Sequence, residues 1–471
     1  MNGRGMNGRF ANRPYTLHRK GAVYEPPLHP SWKRGGLQTA PTMLMTHITL
    51  PYGHDLLSID IPAANLGEII RPQMVPPASD PQLVIRRAIE QPIGTPPLSE
   101  LVQPAQTVAI IVDDVTRSTP AHLILPLLLE QLHAAGITHE EIRIVVALGT
   151  HRAMSDSEIA AKVGADVAAN YQIVNIPSSR DDEMVYMGTS QNGIPAWVNR
   201  AVATADVKIG VGSITPHMDA GYSGGAKIIL PGVCSTRTVE TFHAKETDIG
   251  FNQLGRLDSL IRQDLEQFVG DCVGLDFIVN TILTHDEQLY QCVAGHFIDA
   301  HRVGVGYTQD VYGVPVSRRY PIIIANAYPK DIDLWQSINA IWAGEIIIEE
   351  SGTLILLTDG RERHSAYPNF PHRIGADPDE LKQAFDAGEL TERMTAIFAI
   401  CIGRFKRHFD ISLVSEGLTR RDADIMGFAY HDTVEEAIRR ALHKHGNEAK
   451  IAILTHGGIT LPLLSDIIEK S

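Results

Sequence analysis

Three short apolar runs constrain this chain more than any other feature. Residues 107–112, 142–148 and 207–211 are nearly unbroken stretches of Val, Ile, Ala and Leu rather than alternating ones. A strand covered on both faces reads this way, because crossover helices pack on both sides of a parallel sheet. Each run breaks into a polar loop. The first gives way to Asp113-Asp114-Val115-Thr116-Arg117-Ser118-Thr119-Pro120, the second to Gly149-Thr150-His151-Arg152, and the third to the glycine-rich stretch 212–232. Helical patterns follow at 122–135, which Pro126 is expected to interrupt, and at 155–163. Such a chain is predicted to be α/β with mainly parallel sheets, and ligands of such sheets bind beyond the carboxyl ends of the strands.

A second block of the same kind opens at Tyr320. Strand patterns at 321–325, 352–357, 411–414 and 449–454 alternate with helical ones at 378–387, 390–402 and 433–444. This predicts two α/β domains, 45–310 and 311–471, with an active-site cleft between them. Residues 1–44 stand apart, with seven Lys or Arg, the single acid Glu25 and scattered Gly and Pro, and are read as a disordered basic extension. The net charge of −14 gives no reason to expect nucleic acid or an anionic membrane as partner. Four dispersed cysteines without a C-x-x-C pair signal neither a disulfide framework nor a thiolate zinc site. With no apolar run of membrane-spanning length and no signal-peptide core, the expected location is the cytoplasm.

Candidate chemistry gathers at the strand ends. His151 and His217 come from separate strands, and two proton-transferring side chains facing a substrate from opposite sides are what stereoinversion requires. Asp114, Thr116 and Arg117 lie between a strand and a helix, so they read either as a phosphate-binding turn or as a capped helix start. Gly221-Tyr222-Ser223-Gly224-Gly225 fits G-x-S-x-G, but no strand immediately precedes it and Pro231-Gly232 stops a long helix after it, against a serine nucleophile elbow. Lys227 fits a Schiff-base lysine or a lysine snorkelling to the surface. His243 has no H-x-x-x-H companion to complete a protein metal cage.

From about Met45 onward the chain resembles the nickel-dependent lactate racemase family. The resemblance is carried by Asp114-Val115-Thr116-Arg117, Gly149-Thr150-His151-Arg152, Pro216-His217 through Gly224-Gly225-Ala226-Lys227 to Pro231-Gly232, His243, and Tyr328-Pro329-Lys330-Asp331 with Leu334-Trp335-Gln336. It implies a nickel-pincer nucleotide cofactor joined covalently through Lys227, with His243 as the one protein ligand to nickel. Asp114, Thr116 and Arg117 would hold the nucleotide phosphate, and Gly224 and Gly225 would let the cofactor lie close to the backbone. His151 and His217 would be the paired acid/base groups of a 2-hydroxy acid racemase or epimerase, in which hydride leaves C2 and returns to the other face. The N-terminal domain would bind cofactor and the C-terminal one would close over substrate, with Tyr328, Trp335, Gln336 and Asn339 as its contacts. Cofactor-biosynthesis proteins are the implied partners.

The chain departs from the family in two places. Lactate enzymes carry a lysine three residues after the glutamine, where this chain has Asn339, and a C-terminal-domain tryptophan, whereas no tryptophan follows Trp342 here. Both departures point away from lactate toward a larger or more polar 2-hydroxy acid. Two other readings stay open: a non-catalytic carrier or sensor of the cofactor, and a nickel-independent family member acting as a lyase or another racemase.

Overall fold

The structure, a computed structural model, describes residues 44–249, 252–364 and 367–464. The expected basic extension falls outside them, Leu44 apart. Two six-stranded sheets organise the rest. In the first, neighbouring strands are Leu289–Gly295, Phe277–Leu283, Val207–Ser213, Val108–Asp113, Ile142–Ala147 and Gln172–Val174. All pairs are parallel except the first, which is an antiparallel hairpin. Val112 pairs with Val146 on one side and Val211 on the other, so the three strands read from the apolar runs end side by side.

Those strands are apolar on both faces for the expected reason. Val108, Ile110 and Val112 pack under the helix Ala121–Ala134, while Ala109 and Ile111 turn to the other face, in a cluster with Ile229, Leu230 and Phe242. Pro126 does not interrupt that helix, which runs through it without a break in assignment. As the sixth helical residue it forgoes one intrahelical bond, to the His122 carbonyl, and the helix is held by the packing of Ile124, Leu125, Leu128 and Leu132 in the core. Side-chain caps set the next helix starts, Ser155 for Asp156–Val163 and Ser235 for Thr236–Ala244.

The second sheet runs Ala429–Tyr430, Asp410–Ser415, Ile348–Thr358, Tyr320–Asn326, Ile451–Leu454 and Leu66–Ile70, all parallel. Its edge strand therefore comes from the start of the chain. The hairpin Met45–Tyr52 with Asp55–Pro62 also packs here, setting Ile48, Leu50, Ile59 and Ile61 against Ile322, Ile324 and Ile453. Residues 45–70, placed with the first block by sequence order, thus belong with the second sheet, Leu66–Ile70 as its edge strand and the hairpin as a separate two-stranded sheet packed on it. Contacts across the two halves include Asn252 Nδ2 donating to the Trp342 carbonyl at 2.6 Å and Lys382 Nζ 3.1 Å from Asp248. No helix among the described residues is long and apolar enough to cross a membrane.

Candidate active site

Val108–Asp113 lies between the strands that deliver the two histidines, so His151 and His217 leave the sheet two strands apart. Strand spacing makes that about 10 Å, which leaves room for a small molecule over the central strand end. The loop after the central strand is anchored at its base. Asp113 pairs with Lys162 at 2.6 Å and accepts from the Thr119 hydroxyl, and Lys162 Nζ also donates to the Arg117 carbonyl at 2.8 Å.

Asp114 is buried, and its two oxygens have different tasks. Oδ1 accepts from the Thr116 amide at 3.0 Å and hydroxyl at 2.6 Å, while Oδ2 stands 2.6 Å from His151 Nδ1. Burial alone would raise the carboxyl pKa, but hydrogen bonding from His151 and Thr116 outweighs it and leaves the pKa below the usual carboxylate range. With Nδ1 committed to Asp114, His151 presents Nε2 outward from a side chain 48% exposed. The guanidinium of exposed Arg117 has no ion-pair partner among the described residues.

The glycine-rich loop is a small hairpin, Pro216–His217 against Gly221–Tyr222. Buried Arg262 holds it from below, donating from Nε to the Ala220 carbonyl at 3.0 Å and from Nη2 to the Tyr222 carbonyl. Gly221 has a φ of +73°, and a Cβ there would lie 1.9 Å from the Arg256 carbonyl oxygen, so only glycine fits. Gly224 and Gly225 are glycines for a protein reason as well. A Cβ on Gly224 would meet Asn280 and Ile214, and one on Gly225 would meet Phe297 and His301. Both glycines are thus required by the chain's own close packing on the side where a Cβ would stand. Ser223 is equally committed: its hydroxyl donates to the Ser213 carbonyl and accepts from the Thr215 amide, each at 2.8 Å. It is a loop brace: His301 reaches its backbone carbonyl at 2.8 Å, and among the described residues no titratable side chain is hydrogen-bonded to its hydroxyl.

Lys227 Nζ lies 3.3 and 3.1 Å from the two ring nitrogens of His217. Burial drives the lysine pKa down to about 8, with Asp219 opposing and Arg117 and Arg262 adding to the effect. His217 keeps 21% of its side chain open yet sits deep in the cleft. Burial first, and then the charges of Lys227, Arg117, Lys330 and His243, hold it well below the ordinary histidine value, so it is neutral at neutral pH. Next to it, His243 Nδ1 is 2.5 Å from Glu246 Oε1 and 4.0 Å from Asp219 Oδ2, all three side chains being buried. One ligand-type atom from each of Asp219, His243 and Glu246 lies within 4.8 Å of the other two. Burial lowers His243 to about 4 and raises Glu246 to about 8.

The second sheet contributes the wall. Lys330 Nζ lies 3.4 Å from Asn339 Oδ1, and Asn339 Nδ2 donates to the Gln336 carbonyl at 2.7 Å. The Tyr328 ring meets His456 edge-on at 5.3 Å. Trp335 meets Tyr367 at a tilt and Phe370 and Phe398 edge-on, with ring centroids 4.6, 5.2 and 5.1 Å away, so its ring is part of an aromatic core cluster. Sequence reasoning missed Asp219, Glu246 and Arg262. The first two stand two and three residues after singled-out histidines, a spacing that lets side chains meet; nothing local marks Arg262.

A two-sheet α/β chain with two histidines from strand ends on either side of one central strand, a buried amine and a buried histidine–carboxylate cluster is a small-molecule enzyme. The family model for the lactate racemase N-terminal domain matches residues 52–250, and that for its C-terminal domain matches 319–461. Lactate racemase of Lactiplantibacillus plantarum is 30% identical over 384 residues, covering 80% of this chain and 89% of that protein. The Thermoanaerobacterium thermosaccharolyticum lactate racemase is 30% identical over 325 residues, 68% of this chain and 76% of that one. The lactate racemase apoprotein structure from the same organism superposes with a TM-score of 0.78 at 26% identity, over 89% of this chain and all of that one. The chain belongs to the lactate racemase family, and its enzyme class is the isomerases.

Proposed function

We propose that this protein inverts C2 of a 2-hydroxy acid, with His151 and His217 as the two acid/base groups. The observation that carries the reading is their placement: two histidines in unlike settings, on strands flanking a single central strand. His217 is neutral and can take a hydroxyl proton at a ring nitrogen. His151 can do the same at Nε2 for the opposite enantiomer, with Asp114 holding the ring and balancing the imidazolium that forms.

The residues present fit a nickel-pincer nucleotide. Lys227 is a buried amine whose polar partners among the described residues are the His217 ring nitrogens, and its lowered pKa supplies the neutral form that can be acylated. His243 has Nδ1 fixed by Glu246, and Nε2 is left for a metal, the arrangement that orients metal-binding imidazoles generally. When bound, the group supplies reversible acceptance of the C2 hydride. Arg117, exposed and without an ion pair among the described residues, is a cation suited to the nucleotide phosphate, while Asp114 acts through His151 and Thr116 braces Asp114. Attachment through Lys227 implies that cofactor-assembling proteins meet this chain.

The test is inversion of single-enantiomer 2-hydroxy acids carrying deuterium at C2, with malate and sugar acids beside lactate, using cofactor-loaded protein. Racemisation with the label retained is expected. Exchange of the C2 label with water would show proton abstraction instead and overturn the reading.

A further inference from the structure

Lys330 is a cation without an anion. Among the described residues no carboxylate stands within ion-pair distance of its ammonium, whose side-chain partner is the neutral Asn339 Oδ1 at 3.4 Å. Its side chain is only partly open to water, and burial together with the nearby Arg117 charge pulls its pKa down to about 8. Desolvating an ammonium without a counter-charge is costly, and a fold that keeps one in place has a use for it. Its backbone is fixed: the Lys330 amide donates to the Ala327 carbonyl at 2.9 Å, and Gly458 has no side chain where a Cβ would press within 3.0 Å of the lysine's own Cβ. The charge is felt at His217, so the ammonium belongs to the same cleft as the proposed acid/base groups.

We propose that Lys330 is the residue that receives the substrate carboxylate, with Asn339 steadying its ammonium, so that the 327–330 turn supplies the cation facing the substrate. The inference rests on the 2-hydroxy acid reading and adds to it a binding residue. Lys227 is committed to His217, and Arg117 lies on the opposite sheet's loop, which leaves Lys330 as the cation of the second-sheet wall facing the site. A carboxylate held there, with its 2-hydroxyl toward His217, presents C2 to the space over the central strand end.

Glycolate, the simplest 2-hydroxy acid, tests this by calorimetric titration of the full chain, with glycolamide as the uncharged control. Lys330→Met should weaken glycolate binding roughly 10- to 100-fold, the range for a lost hydrogen bond between charged groups, and leave glycolamide unaffected. Lys330→Arg should keep binding within about tenfold, since the charge remains. In loaded enzyme the Met variant should raise KM far more than it lowers kcat. If Lys330→Met does not fold by near-ultraviolet circular dichroism, Lys330→Gln carries the comparison. Unchanged glycolate affinity in a folded variant overturns the assignment of Lys330 while leaving the 2-hydroxy acid reading intact. Wild-type protein that binds no glycolate and inverts no 2-hydroxy acid overturns both.

Discussion

His151 Nδ1 stands 2.6 Å from Asp114 Oδ2, and the two residues come from adjacent strand ends of the first sheet. The pair sets which ring nitrogen faces outward and gives an imidazolium a counter-charge. Asp114→Asn keeps the shape and removes the charge, so kcat should fall by about 10²-fold, within the range for a positioned acid or base, with the fold unchanged. Because the folded carboxyl has a lowered pKa, its stabilising contacts are complete above the unfolded value of about 4 and are lost as pH falls through the folded value. Acid unfolding followed by circular dichroism should therefore lose its Asp114 component below about pH 4 in wild type and lack it in the variant. An Asn variant with full turnover would remove Asp114 from the mechanism.

Lys227 offers a second pH signature. Its folded pKa of about 8 lies below the ordinary lysine value, so the folded chain binds fewer protons than the unfolded one between about 8 and 10.4. The cost of burying the ammonium is full below pH 8 and is relieved as pH rises through that window. Amine-directed acylation of protein made without cofactor, read residue by residue by mass spectrometry, should reach half its maximum near pH 8 at Lys227 and well above it at exposed lysines. Loaded protein should show Lys227 blocked. A Lys227 midpoint equal to that of surface lysines would contradict the buried-amine account.

How much of this was readable beforehand depends on the range of the interaction. The runs at 107–112, 142–148 and 207–211 showed themselves as strands because burial on both faces leaves an unbroken apolar record, and Ser155 and Ser235 marked helix starts through local hydrogen bonds. The edge position of Leu66–Ile70 was not readable, since its partner, Ile451–Leu454, lies nearly four hundred residues away. The histidines were visible at strand ends. The carboxylate beside one of them was not: Asp114 reads in the sequence as part of a phosphate turn or a capped helix start, and only the folded loop shows it turned toward His151. Arg262 is an ordinary surface-type residue in the sequence and Lys330 only one member of the 328–331 segment, and the fold alone shows where each side chain ends up.

Ser223 supplies a prediction against a motif. Its hydroxyl braces Ser213 and Thr215, so Ser223→Ala should destabilise the protein by about 1 kcal/mol, the net worth of a typical hydrogen bond, and keep turnover within a few-fold. A fluorophosphonate that labels serine nucleophiles should leave this residue untouched. Labelling at Ser223 would reopen the hydrolase reading.

Arg262 is the last case, and the most severe. Its side chain is fully buried, donates to the Ala220 and Tyr222 carbonyls, and lies 3.7 Å from Glu266. Arg262→Met fills most of the volume but takes a donor from two carbonyls, leaving that of Ala220 with the Tyr222 amide alone, and removes one of the two cations beside Glu266, the other being Arg302 at 2.7 Å. Breaking such a buried set costs roughly 3–5 kcal/mol. The hairpin it supports carries His217, and the same loop continues to Lys227, so loss should appear in two places at once. Chemical denaturation should show the lower stability, and amide hydrogen exchange should show faster opening at 216–222 than in the distant second sheet. A stable variant with an unchanged exchange pattern would mean that the hairpin holds its shape without the clamp, and that His217 is positioned by Asp219 and Lys227 alone.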